Sequence, residues 1–131
     1  MRLVFEQIRL GGDRNFGYLL GDREAGEALV VDPAYSPETL VERARVQGLR
    51  VTHVVNTHGH PDHINGNEEA VELTGAPVAG HRSLPETPGV TLAEGDELGV
   101  GAFRLRAMET PGHAADHLVL YEPEHEILIT G

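Results

Sequence analysis

Hydrophobic and polar positions alternate in short runs along this chain, and the runs predict more strands than helices. The first third is expected to form three strands joined by turns. Residues 51–56 then form a buried strand, because apolar and β-branched side chains dominate that run. Further strands are expected at 78–79, within 90–98 and at 103–108. The three early strands are expected at 3–10, 16–20 and 27–31, and a final hairpin is expected to join 117–121 to 127–130.

Two segments carry helix signals instead. Ser36-Pro37-Glu38 places an N-cap residue before a proline at the first helical position and an acid in the first turn. That helix is expected to end at Gly48, and residues 65–73 predict a second helix. The predicted order of elements is strands, helix, strand, helix, strands. This order indicates a mixed α/β or α+β layer fold, with residues 1–131 in one domain.

Composition narrows the function classes. The chain has 131 residues, is 40% hydrophobic and 24% charged, and has a formal net charge of −11, which suits a soluble globular protein and disfavours nucleic acid as a partner. The absence of cysteine excludes disulfides and thiolate ligands, and the absence of lysine excludes Schiff-base chemistry. No apolar run is long enough to span a membrane, and the N-terminus lacks a secretion signal, so a cytoplasmic location is expected.

The densest cluster of chemically active residues directly follows the strand at 51–56. His58, His60, Asp62 and His63 form the pattern His-x-His-x-Asp-His. Because side chains at positions i and i+2 of an extended segment point the same way, both His58 and His60 can reach one metal ion. Asp62 and His63 would point towards a neighbouring ion. Without cysteine, the ligands are nitrogen and oxygen atoms, which suit Zn, Fe or Mn.

A second cluster, Thr110-Pro111-Gly112-His113, also follows a strand. Its Pro-Gly pair predicts a tight turn that can aim His113. His113 would complete a three-histidine site with one open position, which is the arrangement of a catalytic metal site and not of a closed structural one.

Both clusters resemble motifs of a known family. The segment 58–63 resembles the signature of the metallo-β-lactamase superfamily, Thr110-Pro111-Gly112-His113 resembles its next motif, and residues 15–20 and 30–33 resemble its opening hairpin. The resemblance implies an αββα sandwich of two similar halves, of which this chain supplies mainly the first, with the metal site at the rim between them. Within the superfamily, the chain resembles the glyoxalase II, or hydroxyacylglutathione hydrolase, group.

The resemblance also implies roles for individual residues. His58, His60 and His113 would bind one metal ion, and Asp62 and His63 a second, with zinc as the expected metal. Metal-bound hydroxide would attack a small thioester or another acyl ester, and Asp62 would orient or deprotonate the water. The alternatives are a mononuclear iron dioxygenase acting on a glutathione persulfide, a metal-dependent nuclease, and a metal-binding fragment without activity of its own.

Three further residues receive weaker assignments. His117 is expected near the substrate or at the start of a strand, and Asp32 is expected to end a strand close to the site and to support a ligand. His81, next to Arg82, is expected on the surface of a loop.

The end of the chain leads to one more expectation. The resemblance implies a bridging Asp just after a Thr-Gly pair and a further His downstream, and Thr130-Gly131 is the last such pair. The apolar run 127–130 also needs strand partners on both sides. We therefore expect a truncated domain with little activity alone, or a chain that completes its sheet by association, for example in a homo-oligomer.

Overall fold

A computed structural model describes residues 2–9, 16–34, 36–59, 64–85, 88–110 and 117–130. These residues form ten strands and two helices of at least eight residues, and the strands build two sheets. In chain order the elements are β1 (Leu3–Arg9), β2 (Phe16–Asp22), β3 (Glu27–Val31), α1 (Pro37–Val46), β4 (Arg50–Val55), α2 (Asn67–Thr74), β5 (Val78–Gly80), β6 (Val90–Thr91), β7 (Glu97–Val100), β8 (Phe103–Glu109), β9 (Leu118–Glu122) and β10 (Ile127–Ile129).

The first sheet contains β1 to β6 in chain order. Strands β1, β2 and β3 pair antiparallel, whereas β3, β4, β5 and β6 pair parallel. The parallel arrangement needs long crossover connections, and α1 and α2 supply two of them. As a consequence, the carboxyl ends of β3, β4 and β5 meet at one edge of the sheet.

The second sheet has the antiparallel order β10-β9-β8-β7 and packs against one face of the first. Their shared core includes Leu20 and Leu29 from the first sheet and Leu105 and Leu120 from the second. Both helices pack on the opposite face of the first sheet, where Leu40 joins a separate apolar cluster. The described residues thus form helix, sheet and sheet layers, which confirms the predicted layered fold.

The two sheets are joined by hydrogen bonds at the end of β2. The carboxylate of Asp22 is fully buried and accepts bonds from Arg2 Nε at 2.8 Å and from the Ala102 amide at 2.9 Å. The bond from Arg2 is the main reason why the pKa of Asp22 is lowered to about 2. Gly101 lies against this carboxylate with φ +56°, and a side chain there would collide with it. This contact fixes the two sheets relative to each other at the start of β3, the end of the strand that is farther from residues 57–63, the His-rich segment.

The element boundaries differ little from those that the sequence predicts. Ser36 occupies the N-cap position of α1, with proline at the start of the helix, but its side chain makes no capping hydrogen bond. Helix α2 begins at Asn67 instead of residue 65, because Gly66 takes the N-cap position. The turn expected at 11–15 lies outside the described residues. No helix within the described ranges is both long and apolar enough to cross a bilayer.

Candidate metal centre

Asp32 lies at the edge where β3, β4 and β5 end, immediately after β3. Its side chain is fully buried. Asp32 Oδ1 accepts a hydrogen bond from the Thr57 amide at 2.9 Å, and Asp32 Oδ2 accepts one from the Thr57 hydroxyl at 2.6 Å. A buried carboxylate needs such donors, because burying an unpaired charge is costly. Asp32 thereby fixes the first residue of the His-rich segment.

The same hydroxyl determines which nitrogen of His58 carries the proton. Thr57 Oγ1 has one hydrogen, which it donates to Asp32, and Oγ1 also lies 3.0 Å from His58 Nδ1. Oγ1 must therefore accept from Nδ1–H, and the Nε2 atom of neutral His58 keeps its lone pair. His58 is only 3% exposed, so its ring is held by its surroundings. An imidazole oriented in this way by an outer hydrogen-bond partner is typical of a metal ligand.

The backbone around Asp32 has unusual conformations. Asp32 and Ala34 have φ values of +51° and +48°, in the left-handed region that residues other than glycine rarely adopt. Such conformations cost about 1–3 kcal/mol each and are frequent at functional sites. A side chain at Gly66 would collide with the carbonyl oxygen of Ala34, so the start of α2 packs directly on this turn. Packing therefore holds the turn in the conformation that brings Asp32 to Thr57.

Paired amides connect the two flanks of the His-rich segment. Asn56 Nδ2 donates to Asn67 Oδ1 at 3.0 Å, and Asn67 Nδ2 donates to Asn56 Oδ1 at 2.6 Å. Asn56 directly follows β4, and Asn67 begins α2. Residues 57–66 thus start and end at two points that are fixed to each other.

His117, which follows the second cluster in the sequence, also lies next to His58. The ring of His117 lies beside that of His58, with 5.1 Å between the ring centroids. Its Nδ1 lies 2.6 Å from Thr110 Oγ1, and the Leu118 amide donates to the Thr57 carbonyl at 2.6 Å. The segment between Thr110 and His117 therefore ends next to His58, and Thr110 at its start contacts His117.

Three of the predicted site residues, Asp32, His58 and His117, are thus brought together. The other four lie outside the described residues, and their roles as ligands stay predictions: His60, Asp62, His63 and His113. The donor chemistry of the described residues fits a divalent metal, since His58 offers a neutral imidazole nitrogen that an outer carboxylate supports through Thr57.

The sequence-based expectation for His81 is wrong. His81 is 3% exposed, and its Nε2 lies 2.6 Å from Glu109 Oε1. Its burial depends on a partner 28 residues away, which no local pattern reveals. The available signal was its position directly after the buried strand β5, at the edge where Asp32 and His58 also lie.

A cavity of about 790 Å³ opens beside α2. Asn56 is part of its wall, whereas His58 and His117 are not among its lining residues. Glu68 and Glu72 also line it, so its negative charge disfavours an anionic ligand. We therefore assign no role in the candidate metal centre to this cavity.

A family model and a group of curated relatives both match this chain. Residues 10–89 match the family model for the metallo-beta-lactamase superfamily. The hydroxyacylglutathione hydrolase of Rhodospirillum rubrum is 36% identical over 132 residues, covering 98% of this chain and 51% of the relative. The chain spans about half the length of the curated relatives it matches.

Two solved structures extend the comparison to three dimensions. The BLEG-1 B3 metallo-beta-lactamase superposes with a TM-score of 0.82 at 23% identity, covering 95% of this chain and 70% of the other, and shows the shared fold alone. ETHE1 from Myxococcus xanthus superposes with a TM-score of 0.78 at 30% identity, covering 91% of this chain and 53% of the other.

Proposed function

The chain belongs to the metallo-beta-lactamase superfamily, and from this membership we propose that it provides metal ligands to a hydrolase of small thioesters. The similar curated relatives are named hydroxyacylglutathione hydrolases, so a hydroxyacyl thioester of glutathione is the proposed substrate. The observation that carries the proposal is the chain of contacts from Asp32 through Thr57 to His58, which puts the ring proton of neutral His58 on Nδ1 and the lone pair on Nε2, the atom that would bind a metal.

His58, His60 and His113 are the proposed ligands of one metal ion, and Asp62 and His63 of a second. When bound there, a divalent metal would lower the pKa of a coordinated water towards about 7 and would polarise the acyl oxygen. The nitrogen and oxygen donors fit zinc, and they also fit iron or manganese.

The chain's own residues hold and orient the reacting groups. Asp32 accepts the only hydrogen of the Thr57 hydroxyl, so that hydroxyl accepts from Nδ1–H of His58 and the lone pair of the neutral ring is on Nε2. Asp62 is the proposed group that orients or deprotonates the water. His117, whose ring lies next to His58, is the proposed contact for the substrate.

The decisive experiment uses the full-length protein with its metal content measured. We expect bound zinc, and we expect loss of the thioester's ultraviolet absorbance when hydroxyacylglutathione is added. Chelation should abolish this reaction and zinc should restore it. The matched variants are His58→Ala, which should lose metal and activity, and His125→Ala, which alters an exposed histidine in the β9–β10 turn and should lose neither.

Other outcomes would favour the alternatives. One iron per chain and oxygen consumption with a glutathione persulfide would support the dioxygenase and contradict the hydrolase. Cleavage of nucleic acid without thioester cleavage would support the nuclease. Metal binding without any turnover would leave a binding role only, and absence of metal binding would contradict the whole proposal.

A further inference from the structure

His81, which is buried, contacts the partly exposed Glu109 at the edge of the candidate metal centre. The Ser83 amide donates to His81 Nδ1 at 3.1 Å, so in neutral His81 the ring proton is on Nε2. Nε2–H then donates to Glu109 Oε1 at 2.6 Å. His81 follows β5 of the first sheet, and Glu109 ends β8 of the second, so this bond crosses between the sheets.

Glu109 is also held by Glu94. The Glu109 amide donates to Glu94 Oε1 at 2.9 Å, and the Glu94 amide donates to Glu109 Oε2 at 3.3 Å. The bond with His81 is the main cause that lowers the pKa of Glu109. The last residue of β8 is therefore fixed through both its backbone and its side chain.

These contacts belong to a closed ring that includes Thr57, the residue before His58. Glu109 pairs with Leu118 across β8 and β9, and the Leu118 amide donates to the carbonyl of Thr57. On the other side of the ring, the backbone of β5 pairs with that of β4 up to Asn56, which precedes Thr57. The ring crosses between the two sheets twice. The bond from Leu118 to Thr57 joins backbone atoms, whereas the bond between His81 and Glu109 joins side chains.

We propose that His81 is a positioning residue that fixes, through Glu109, the start of the segment carrying His113 relative to His58. The inference rests on the proposed function, because it assumes that both histidines bind one metal ion. Thr110 directly follows Glu109 and His113 comes three residues later, so few residues separate the fixed position from the proposed ligand.

Two substitutions separate the two hydrogen bonds of His81. In His81→Gln the side-chain amide can replace Nε2 as the donor to Glu109, whereas in His81→Asn the amide oxygen can replace only Nδ1 as the acceptor from Ser83. The matched control is His125→Asn. It replaces another histidine that contacts a glutamate, with His125 Nδ1 at 3.2 Å from Glu122 Oε2, in the turn between β9 and β10, and so controls for the loss of an imidazole.

The test measures zinc affinity by chelator competition in the full-length protein, together with the visible spectrum of the cobalt-substituted form. We expect His81→Asn to weaken zinc binding about 10-fold or more and to change the cobalt spectrum. His81→Gln and His125→Asn should stay close to wild type. Glu109→Ala also removes the longer bond from the Glu94 amide, so it should lose at least as much zinc affinity as His81→Asn. The double variant should bind little worse than Glu109→Ala, because both substitutions remove the same bond between His81 and Glu109.

The opposite results would overturn the inference. His81→Asn with wild-type zinc affinity and cobalt spectrum would show that Glu109 needs no such support, and equal losses in His81→Gln and His81→Asn would exclude the bond to Glu109 as the cause. If His81→Asn does not fold, Glu109→Ala decides alone, since the Glu109 side chain is 35% exposed. A wild-type protein without metal would instead contradict the proposed function.

Discussion

Asp32 and His58 are linked by a single hydroxyl group, because Thr57 Oγ1 lies 2.6 Å from Asp32 Oδ2 and 3.0 Å from His58 Nδ1. The carboxylate can only accept, so the direction of both bonds follows from the one hydrogen on Oγ1. Asp32, at the end of β3, thereby determines which ring nitrogen of His58, after β4, carries the proton.

Thr57→Val should weaken metal binding about 10- to 100-fold, as is typical when an outer partner of a metal ligand is removed. Valine has nearly the same shape but can neither donate to Asp32 nor accept from His58. Zinc competition titration measures the loss. The matched variant Thr57→Ser keeps the hydroxyl and should bind zinc nearly as wild type does; equal losses in both variants would contradict the hydroxyl's role.

His117→Ala should lower kcat/KM for the thioester about 10-fold or more while zinc content stays unchanged. The ring of His117 lies next to His58 but is proposed to contact substrate, not metal. Steady-state kinetics and metal analysis on the same sample measure both quantities. Loss of zinc in His117→Ala would instead make His117 part of the metal site. His125→Ala serves as the control for removal of an imidazole.

Asp22→Asn should make the free energy of unfolding less dependent on acid pH. The folded-state pKa of Asp22 is about 2, below its ordinary value of 3.8. Its stabilising contribution is therefore full above 3.8 and is lost as the pH falls through about 2. The wild type should lose about 1 kcal/mol more than Asp22→Asn between neutral pH and about pH 3. Urea unfolding at both pH values measures the difference, and parallel losses would contradict it.

Gly101→Ala should destabilise the fold more than Gly48→Ala does. Both glycines have positive φ, +56° and +72°, so each substitution costs about 1 kcal/mol in backbone conformation. Only at Gly101 would the new methyl group also collide with the buried carboxylate of Asp22, which adds about 1–3 kcal/mol. Urea unfolding at neutral pH compares the two variants. Equal destabilisation would show that the carboxylate can move aside.

Local patterns predicted the elements well where each element depends on its own residues. The alternation in β8 and the proline at the start of α1 are features of this kind. The burial of His81 could not be predicted, because it depends on Glu109. The contact between Asp32 and Thr57 likewise depends on parallel pairing of β3 with β4, which the sequence pattern does not specify. The sequence therefore predicted which residues belong to the candidate site, but not the hydrogen bonds that connect them.

The contacts between Asp22 and Ala102 and between Glu27 and Gly101 span 80 and 74 residues, and this separation has a consequence for folding kinetics. Closing such long loops is entropically costly, and proteins rich in distant contacts fold slowly. During synthesis, the first sheet can pair its strands well before the second sheet has left the ribosome. Its inner apolar face then stays uncovered until residues 97–129 arrive. The nascent chain is therefore most prone to aggregation in that interval, and a chaperone would be most effective there.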